Sequence, residues 1–181
     1  MSATPNPVAG GDPFSFFRAD HGRLLARLDE LERQVLSGAG APDEQALREL
    51  VAVLERQFAT HMAAEDAILF PALDDAFPVL QATLEPLRED HLELRLMLAT
   101  LAEQLSRPVS PPRAEQVVVL ARDLTDLLRL HVHREEAAVF DVAQRALTPE
   151  ETTALVDRLA PYLETLHPGT PEPGFPKGST P

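Results

Sequence analysis

The chain has 181 residues, and 16 basic against 29 acidic residues give it a net charge of −13. This length fits one domain with a sizeable apolar core, and the acidic charge argues against nucleic acid or an anionic membrane as a partner. The absence of cysteine excludes disulfides, zinc fingers, iron–sulfur ligation and thiol chemistry. Met1–Asp12 shows neither the basic nor the apolar region of a secretory signal, and no apolar run is long enough to cross a bilayer. A cytoplasmic location is therefore expected.

Four long amphipathic segments and one short one are separated by breaks rich in proline and glycine. The predicted helices cover approximately residues 13–36, 44–70, 79–105, 113–146 and 149–166. Asp12 followed by Pro13 is typical of a helix N-cap and first residue, and the capping box that begins at Thr148 marks the start of the fifth helix.

Prolines punctuate the predicted helices. Pro71 marks the end of the second helix or a kink in it, Pro86 resets the third, and Pro161 kinks the fifth. The resulting organisation is a disordered lead, a helical bundle domain and a disordered Pro-rich tail, at residues 1–11, 12–166 and 167–181.

Each long helix carries an apolar stripe with steps of three and four residues, which is the pattern of a bundle seam. Polar residues stand on these stripes at positions where leucine is expected. They are His21, His61, Glu65, His91, His131 and Glu135. The short connections predict an all-α fold, an up-down-up-down four-helix bundle with a short fifth C-terminal helix. The alternative is an irregular helical array.

The polar seam residues repeat at an interval of seventy residues. His61 and Glu65 correspond to His131 and Glu135, each pair one helical turn apart on one face. The Asp20-His21 dipeptide corresponds to Asp90-His91. Chance similarity between leucine-rich helices would explain matched leucines but not matched histidines and glutamates, so the chain reads as two copies of one helical hairpin.

The four seam histidines are expected to lie in one layer of the bundle. In antiparallel helices, residues equidistant from a turn lie at the same height. The midpoints between successive seam histidines fall at residues 41, 76 and 111, and each lies inside a predicted turn. Glu65 and Glu135 then lie roughly 5 Å away along the axis.

Such a layer is costly to bury without counter-charge, and the seams offer no set of lysines or arginines to neutralise it. Metal cations would do so, and a mixed nitrogen and oxygen ligand set in a bundle core suits iron. A single zinc ion needs about four ligands, which would leave two groups unexplained. A metal-free polar core is the remaining alternative.

At these residues the chain resembles the hemerythrin-like, or HHE cation-binding, domain family over roughly residues 13–147. The similarity rests on Asp20-His21, on His61-x-x-x-Glu65 followed by Leu69-Phe70-Pro71, on Glu89-Asp90-His91 and on His131-x-x-x-Glu135-Glu136. Ferritin-like bundles are the main rival, but their Glu-x-x-His pattern is absent where it would be needed.

The resemblance implies a non-haem di-iron centre with two iron ions, bridged by Glu65 and Glu135 and completed by four terminal histidine ligands. Those ligands would be His21, His61, His91 and His131. Oxygen-carrying hemerythrins have a second histidine on the third helix, four residues after the first, and here that position is Arg95. The ligand set is more similar to the family branch linked to nitrosative stress and iron–sulfur repair.

Acidic neighbours of the proposed ligands have two interpretations. Asp66 and Glu136 either support the metal site or, as we favour, form part of a solvated helix face. Asp20 and Asp90 either hold an imidazole N–H or play no part; they point about 100° from the adjacent histidine, so this role is the less favoured one. Arg95 either lines an open coordination position or, as we favour, extends outward.

The remaining histidines and the aromatic residues are expected to play lesser roles. His133 is expected to be exposed, and His167 lies in the tail. Phenylalanines are predicted to wall the site and limit solvent, namely Phe17, Phe58, Phe70 and Phe140.

Three functions are open on the sequence. The first is a protein that binds or senses O2 or NO; the second is an enzyme that turns over peroxide or NO, or donates iron for cluster repair; the third is a helical interaction module with a structural metal. The expected partner is O2, NO or peroxide, with an unidentified protein partner for a sensor.

Overall fold

The computed structural model describes residues 12–36 and 44–166, so the predicted lead, the loop at 37–43 and the Pro-rich tail, with His167, lie outside the described residues. Within the described ranges the protein is all-helical, with five helices and no strand. The helices are α1 (Pro13–Leu36), α2 (Glu44–Ala64, a π-helical turn at Glu65–Leu69, and Phe70–Ala76), α3 (a 3-10 turn at Pro78–Leu80, then Gln81–Ser106), α4 (Pro111–Arg134, a π-helical turn at Glu135–Phe140, and Asp141–Ala146) and α5 (Pro149–Leu166).

The helix starts agree closely with those expected from capping. The Asp12 side chain accepts a hydrogen bond from the Phe14 amide at 2.9 Å. At the start of α5, the Glu151 amide donates to the Thr148 hydroxyl at 3.2 Å and the Thr148 amide donates to the Glu151 carboxylate at 2.8 Å. This reciprocal pair is the predicted capping box.

The predicted end of the second helix near Phe70 is wrong, because α2 continues through Pro71 to Ala76. A π-helical turn begins at Glu65, and the Phe70 amide bonds to the Glu65 carbonyl five residues earlier. Pro71 therefore stands in the first turn of a new α-helical stretch, where its missing N–H costs little.

A second π-helical turn begins at Glu135, the matched position seventy residues on, and closes with the Asp141 amide on the Glu136 carbonyl. Pro86 and Pro161 lie inside α-helical stretches that continue past them, so neither divides its helix.

Each of the four long helices packs against two of the others: α1 against α2 and α4, and α3 against α2 and α4. The short helix α5 packs on α1 and α2. The core comprises two apolar clusters, one with Leu24, Phe58 and Leu94, the other with Phe17, Leu69 and Leu155. The predicted polar layer lies between them along the helices.

Among the described residues, no single helix combines the length and apolar character needed to cross a membrane; the bent pair Glu44–Ala76 and Pro78–Ser106 reaches that composition only when taken together.

Candidate metal centre

The structure brings all six predicted polar seam residues together in two clusters that share both glutamates. One cluster contains His21, His61 and the two glutamates, and the other contains His91, His131 and the same glutamates. Within each cluster the donor atoms lie within 4.8 Å of one another, and all of these side chains are buried. The prediction of a single layer of seam residues therefore agrees with the structure.

The imidazoles turn their Nε2 atoms towards the shared carboxylates. His21 Nε2 lies 3.1 Å from a Glu135 oxygen, and His61 Nε2 lies 3.2 Å from a Glu65 oxygen. His91 Nε2 is 3.3 Å from the other Glu65 oxygen, and His131 Nε2 is 3.4 Å from Glu135. Glu65 thus lies between one histidine of each hairpin, as does Glu135.

The carboxylate oxygens at the centre are poorly satisfied. All four oxygens of Glu65 and Glu135 are buried without a hydrogen bond, although imidazole nitrogens lie 3.1–3.4 Å from three of them. The facing Nε2 atoms of His21 and His61 are 3.1 Å apart, and those of His91 and His131 are 3.2 Å apart. Buried carboxylates are normally paired or bound to a metal, so this arrangement fits cations between the side chains.

The outer nitrogen of every imidazole faces a carboxylate on another helix. His61 Nδ1 lies 2.9 Å from Asp20, and His91 Nδ1 lies 2.7 Å from Asp66. A carboxylate oxygen accepts and cannot donate, so Nδ1 carries the proton. This leaves Nε2 as the atom available to the centre, the arrangement typical of metal-binding histidines.

The other two imidazoles have equivalent partners. His21 Nδ1 lies 3.0 Å from Glu136. His131 Nδ1 lies 3.4 Å from Asp90, an ion-pair distance rather than a good hydrogen bond. Asp20 and Asp90 therefore hold histidines of the neighbouring helix rather than the ones beside them in sequence.

Three sequence interpretations need correction. The favoured reading that Asp20 and Asp90 play no part is wrong, because each contacts an imidazole of the site. The favoured reading of Asp66 and Glu136 as solvated residues is wrong, because both are partly exposed yet contact a site histidine. Arg95 neither reaches the centre nor simply extends outward: its guanidinium donates to the second Asp66 oxygen at 2.6 Å. Arg95 thus acts on His91 through Asp66.

Opposing effects set the protonation of the metal-free site. Burial alone would lower the pKa of His61, but the charge of Glu65 and the hydrogen bond to Asp20 raise it to about 10. Burial likewise acts against protonation of His91, and contacts with Asp66 and Glu65 raise its pKa to about 9. Burial would raise the pKa of Glu65, yet the His61 charge holds it well below its usual range. Without metal, protons therefore take the place of cations near neutral pH.

Aromatic rings cover the imidazole faces, as predicted for three of the four phenylalanines. Phe140 stacks on His21 with ring centroids 5.7 Å apart, and Phe70 stacks on His91 at 5.4 Å. Phe17 meets His61 edge-on. Phe58 is also buried, in the apolar cluster on the other side of the layer, and His133 is exposed as expected.

The family model described as the hemerythrin HHE cation binding domain matches residues 12–143. The chain belongs to this family. No curated protein matches the sequence at a significant level. The hemerythrin HHE match covers the described parts of α1–α3 and most of α4, and therefore every residue of the two clusters. Membership and buried clusters together indicate a helical protein whose centre can hold metal cations.

The sequence did not predict the two π-helical turns, and it made the supporting role of the acidic neighbours the less favoured reading. Each π-helical turn begins at a clustered glutamate, and such turns often occur at functional sites. In the sequence, only Pro71 could have indicated a local irregularity after Glu65. Its counterpart in the repeat is Asp141, which gives no such indication for the second π-helical turn.

Proposed function

We propose that this chain is a non-haem di-iron protein that binds or reacts with O2, NO or peroxide in iron handling or a stress response. Four buried carboxylate oxygens without good hydrogen bonds, facing four imidazole Nε2 atoms, carry the proposal. Neutral imidazoles and carboxylates are a ligand set that iron accepts. Four-helix bundles are a setting for carboxylate sites with two metal ions.

Glu65 and Glu135, which belong to both clusters, would help to hold both ions. One ion would bind His21 and His61, and the other would bind His91 and His131. Iron held by these residues would supply redox chemistry towards a small ligand. The outer carboxylates would keep each imidazole Nδ1 protonated and the ring oriented. The buried phenyl rings would limit the access of water.

The side of the layer away from the glutamates favours binding over acid–base catalysis. One turn from each histidine on that side stands a buried apolar residue, and these are Leu24, Phe58, Leu94 and Leu128. None of the four has a side chain that can transfer a proton. We therefore place reversible binding or sensing first and turnover of peroxide or NO, or iron donation, second.

The architecture that goes with this proposal is the up-down-up-down bundle. The contacts of α1 with α2 and α4, and of α3 with α2 and α4, support it. The acidic charge of −13 supports a small-molecule ligand rather than nucleic acid or an anionic membrane as partner.

Anaerobic loading with Fe(II), followed by metal analysis, tests the proposal. We expect about two irons per chain in the wild-type protein and in Glu55→Ala, whose glutamate is exposed on α2. Glu65→Ala and Glu135→Ala should lose most of this uptake. If these variants bind as much iron as the wild type, or the wild type binds none, the proposal fails.

Absorption spectra of the loaded protein separate the two activities. A new absorption spectrum that forms after addition of O2 or NO and then persists supports binding. Rapid loss of peroxide or NO at many equivalents per chain supports an enzyme.

A further inference from the structure

The site has two halves, one with His21 and His61 and the other with His91 and His131. Each half has two outer carboxylates, and the halves differ in the arginines that pair with these carboxylates. Arg23 bonds to Asp20 at 2.9 Å in the first half, and Arg134 bonds to Asp90 at 3.0 Å in the second. Arg95 adds a further cation, on Asp66 at 2.6 Å. Among the described residues, no lysine or arginine lies within ion-pair distance of Glu136, the counterpart of Asp66. The residue seventy positions before Arg95 is Leu25.

Packing around the two halves is otherwise closely similar. The rings of His21 and His61 have centroids 4.8 Å apart with an interplanar angle of 60°, and those of His91 and His131 have 4.8 Å and 61°. The Phe stacked on each half also has an arginine over its ring, at 5.6 Å and 5.5 Å from the ring centroid. Burial and the stacked rings therefore do not distinguish the two positions. One edge-on contact differs, because the counterpart of Phe17, which meets His61, is Leu87, and both of these residues are uncharged.

We propose that Arg95 makes the two metal positions unequal, so that the position held by His21 and His61 binds its cation before the position held by His91 and His131. This inference rests on the two-ion site proposed above. Arg95 is a positioning residue that acts through Asp66. It has two effects, and both lower the metal affinity of the position held by His91 and His131. It draws the charge of Asp66 away from the His91 N–H, which makes the imidazole a weaker donor, and its own positive charge repels a cation in that half.

A smaller difference acts in the same direction. The Asp20 contact with His61 is 2.9 Å. The corresponding contact between Asp90 and His131 is 3.4 Å. His61 is thus held more firmly than His131, so removal of Arg95 should reduce the inequality without abolishing it.

Changes in the outer partners of metal-bound histidines alter affinity by about 10- to 100-fold. Asp66 is about one-third exposed, so solvent screens part of the effect. We therefore expect the two dissociation constants to differ by about tenfold.

Anaerobic titration of the metal-free full-length chain with Co(II) measures both steps. Absorbance follows binding, and native mass spectrometry counts the ions. The wild type should show two separable steps. In Arg95→Leu the second step should tighten about threefold to tenfold, and Arg95→Lys should retain the separation. Leu25→Arg, which places a cation near Glu136, should weaken the first step.

Arg129→Leu is the matched control, because it removes one exposed positive charge that pairs with Asp29 and Glu32, away from the site. It should leave both constants unchanged. Circular dichroism should show wild-type helix content in the Arg95 variants, and their outcome decides the inference even if Leu25→Arg, whose leucine is half-buried, folds poorly.

A crystal loaded with one equivalent of Co(II) should show anomalous density beside His21 and His61. Density beside His91 and His131 overturns the inference, as does binding of two ions with equal constants, or an unchanged separation in Arg95→Leu. Those results leave the two-ion proposal standing. Uptake of fewer than two ions by the wild type overturns both.

Discussion

The metal-free protein should lose stability as pH rises from about 7 to 10. His61 and His91 have folded-state pKa values of about 10 and about 9, against an ordinary value of 6.5. A group whose pKa is raised by folding stabilises fully below its unfolded pKa, and this contribution disappears as pH rises through the folded pKa. The relevant window therefore begins near pH 6.5 and ends near pH 10.

The size of the effect follows from the same values. Moving a pKa from 6.5 to about 10 corresponds to on the order of 5 kcal/mol, and moving one to about 9 corresponds to on the order of 3 kcal/mol. Both imidazoles owe part of this to the same Glu65 carboxylate, so their contributions overlap. We expect a total loss of about 3–5 kcal/mol, or roughly 6–20 °C in melting temperature.

Burial acts against protonation of His21, but its contact with Glu135 raises its pKa above the ordinary value, so His21 adds to the effect. Few other groups titrate in this window. The chain has no cysteine, one tyrosine (Tyr162) and one lysine (Lys177). Guanidinium chloride unfolding, followed by circular dichroism in the presence of a chelator at several pH values, measures the effect. Glu65→Gln removes the charge that does most to raise the His61 pKa, so its pH dependence should be flatter.

Metal-loaded protein should behave differently, because ligation at Nε2 replaces the proton. Its stability should stay level or rise over the same range. A metal-free free energy of unfolding that is constant or increases between pH 7 and 10 would refute the assignment of protons to His61 and His91.

Three further changes test the site and its frame. Glu65→Gln should lose most of the thermal stabilisation that added Fe(II) gives, about 3–4 kcal/mol at a large excess over the dissociation constant, while Glu55→Gln on the exposed face should keep it in the same melting assay. Asp20→Asn should weaken metal binding about 10- to 100-fold in competition with a chelator, and His133→Gln should not. Arg113 is buried and forms two 2.6 Å bonds to Glu44, so Arg113→Met should lower the free energy of unfolding by about 1–3 kcal/mol without changing metal affinity.

Histidine and glutamate at leucine positions are a strong sequence signal, because a helical period fixes which residues share a face. The period places His61 and Glu65 on the buried side, and short turns fix their height. Both expectations agree with the structure, in which the inner residues of both hairpins meet. The family match over residues 12–143 confirms the resemblance drawn from the same motifs.

The outer carboxylates were not predictable in the same way. Asp66 lies about 100° around the helix from Glu65, and in an isolated helix that direction is solvent. Only after the helices pack does the edge of His91 lie there. The partner of Arg95 depends on this second step, so helix periodicity alone gave the wrong favoured roles for Asp66 and Glu136.

The repeated dipeptides divide their contacts between hairpins. Asp20 and Asp90 hold histidines of their own hairpin, whereas Asp66 and Glu136 hold histidines of the other one. Each hairpin thus orients one imidazole itself and depends on the other hairpin for the second.

The glutamates extend this dependence to the centre. Glu65 and Glu135 each lie between imidazoles of both hairpins, in a layer that interrupts the apolar core. Replacing leucine with these groups removes apolar packing between the hairpins, and cations shared by the two glutamates would restore attraction across the same boundary. The proposed ions would therefore hold the two halves of the fold together, and the free energy of metal binding would contribute to that of folding.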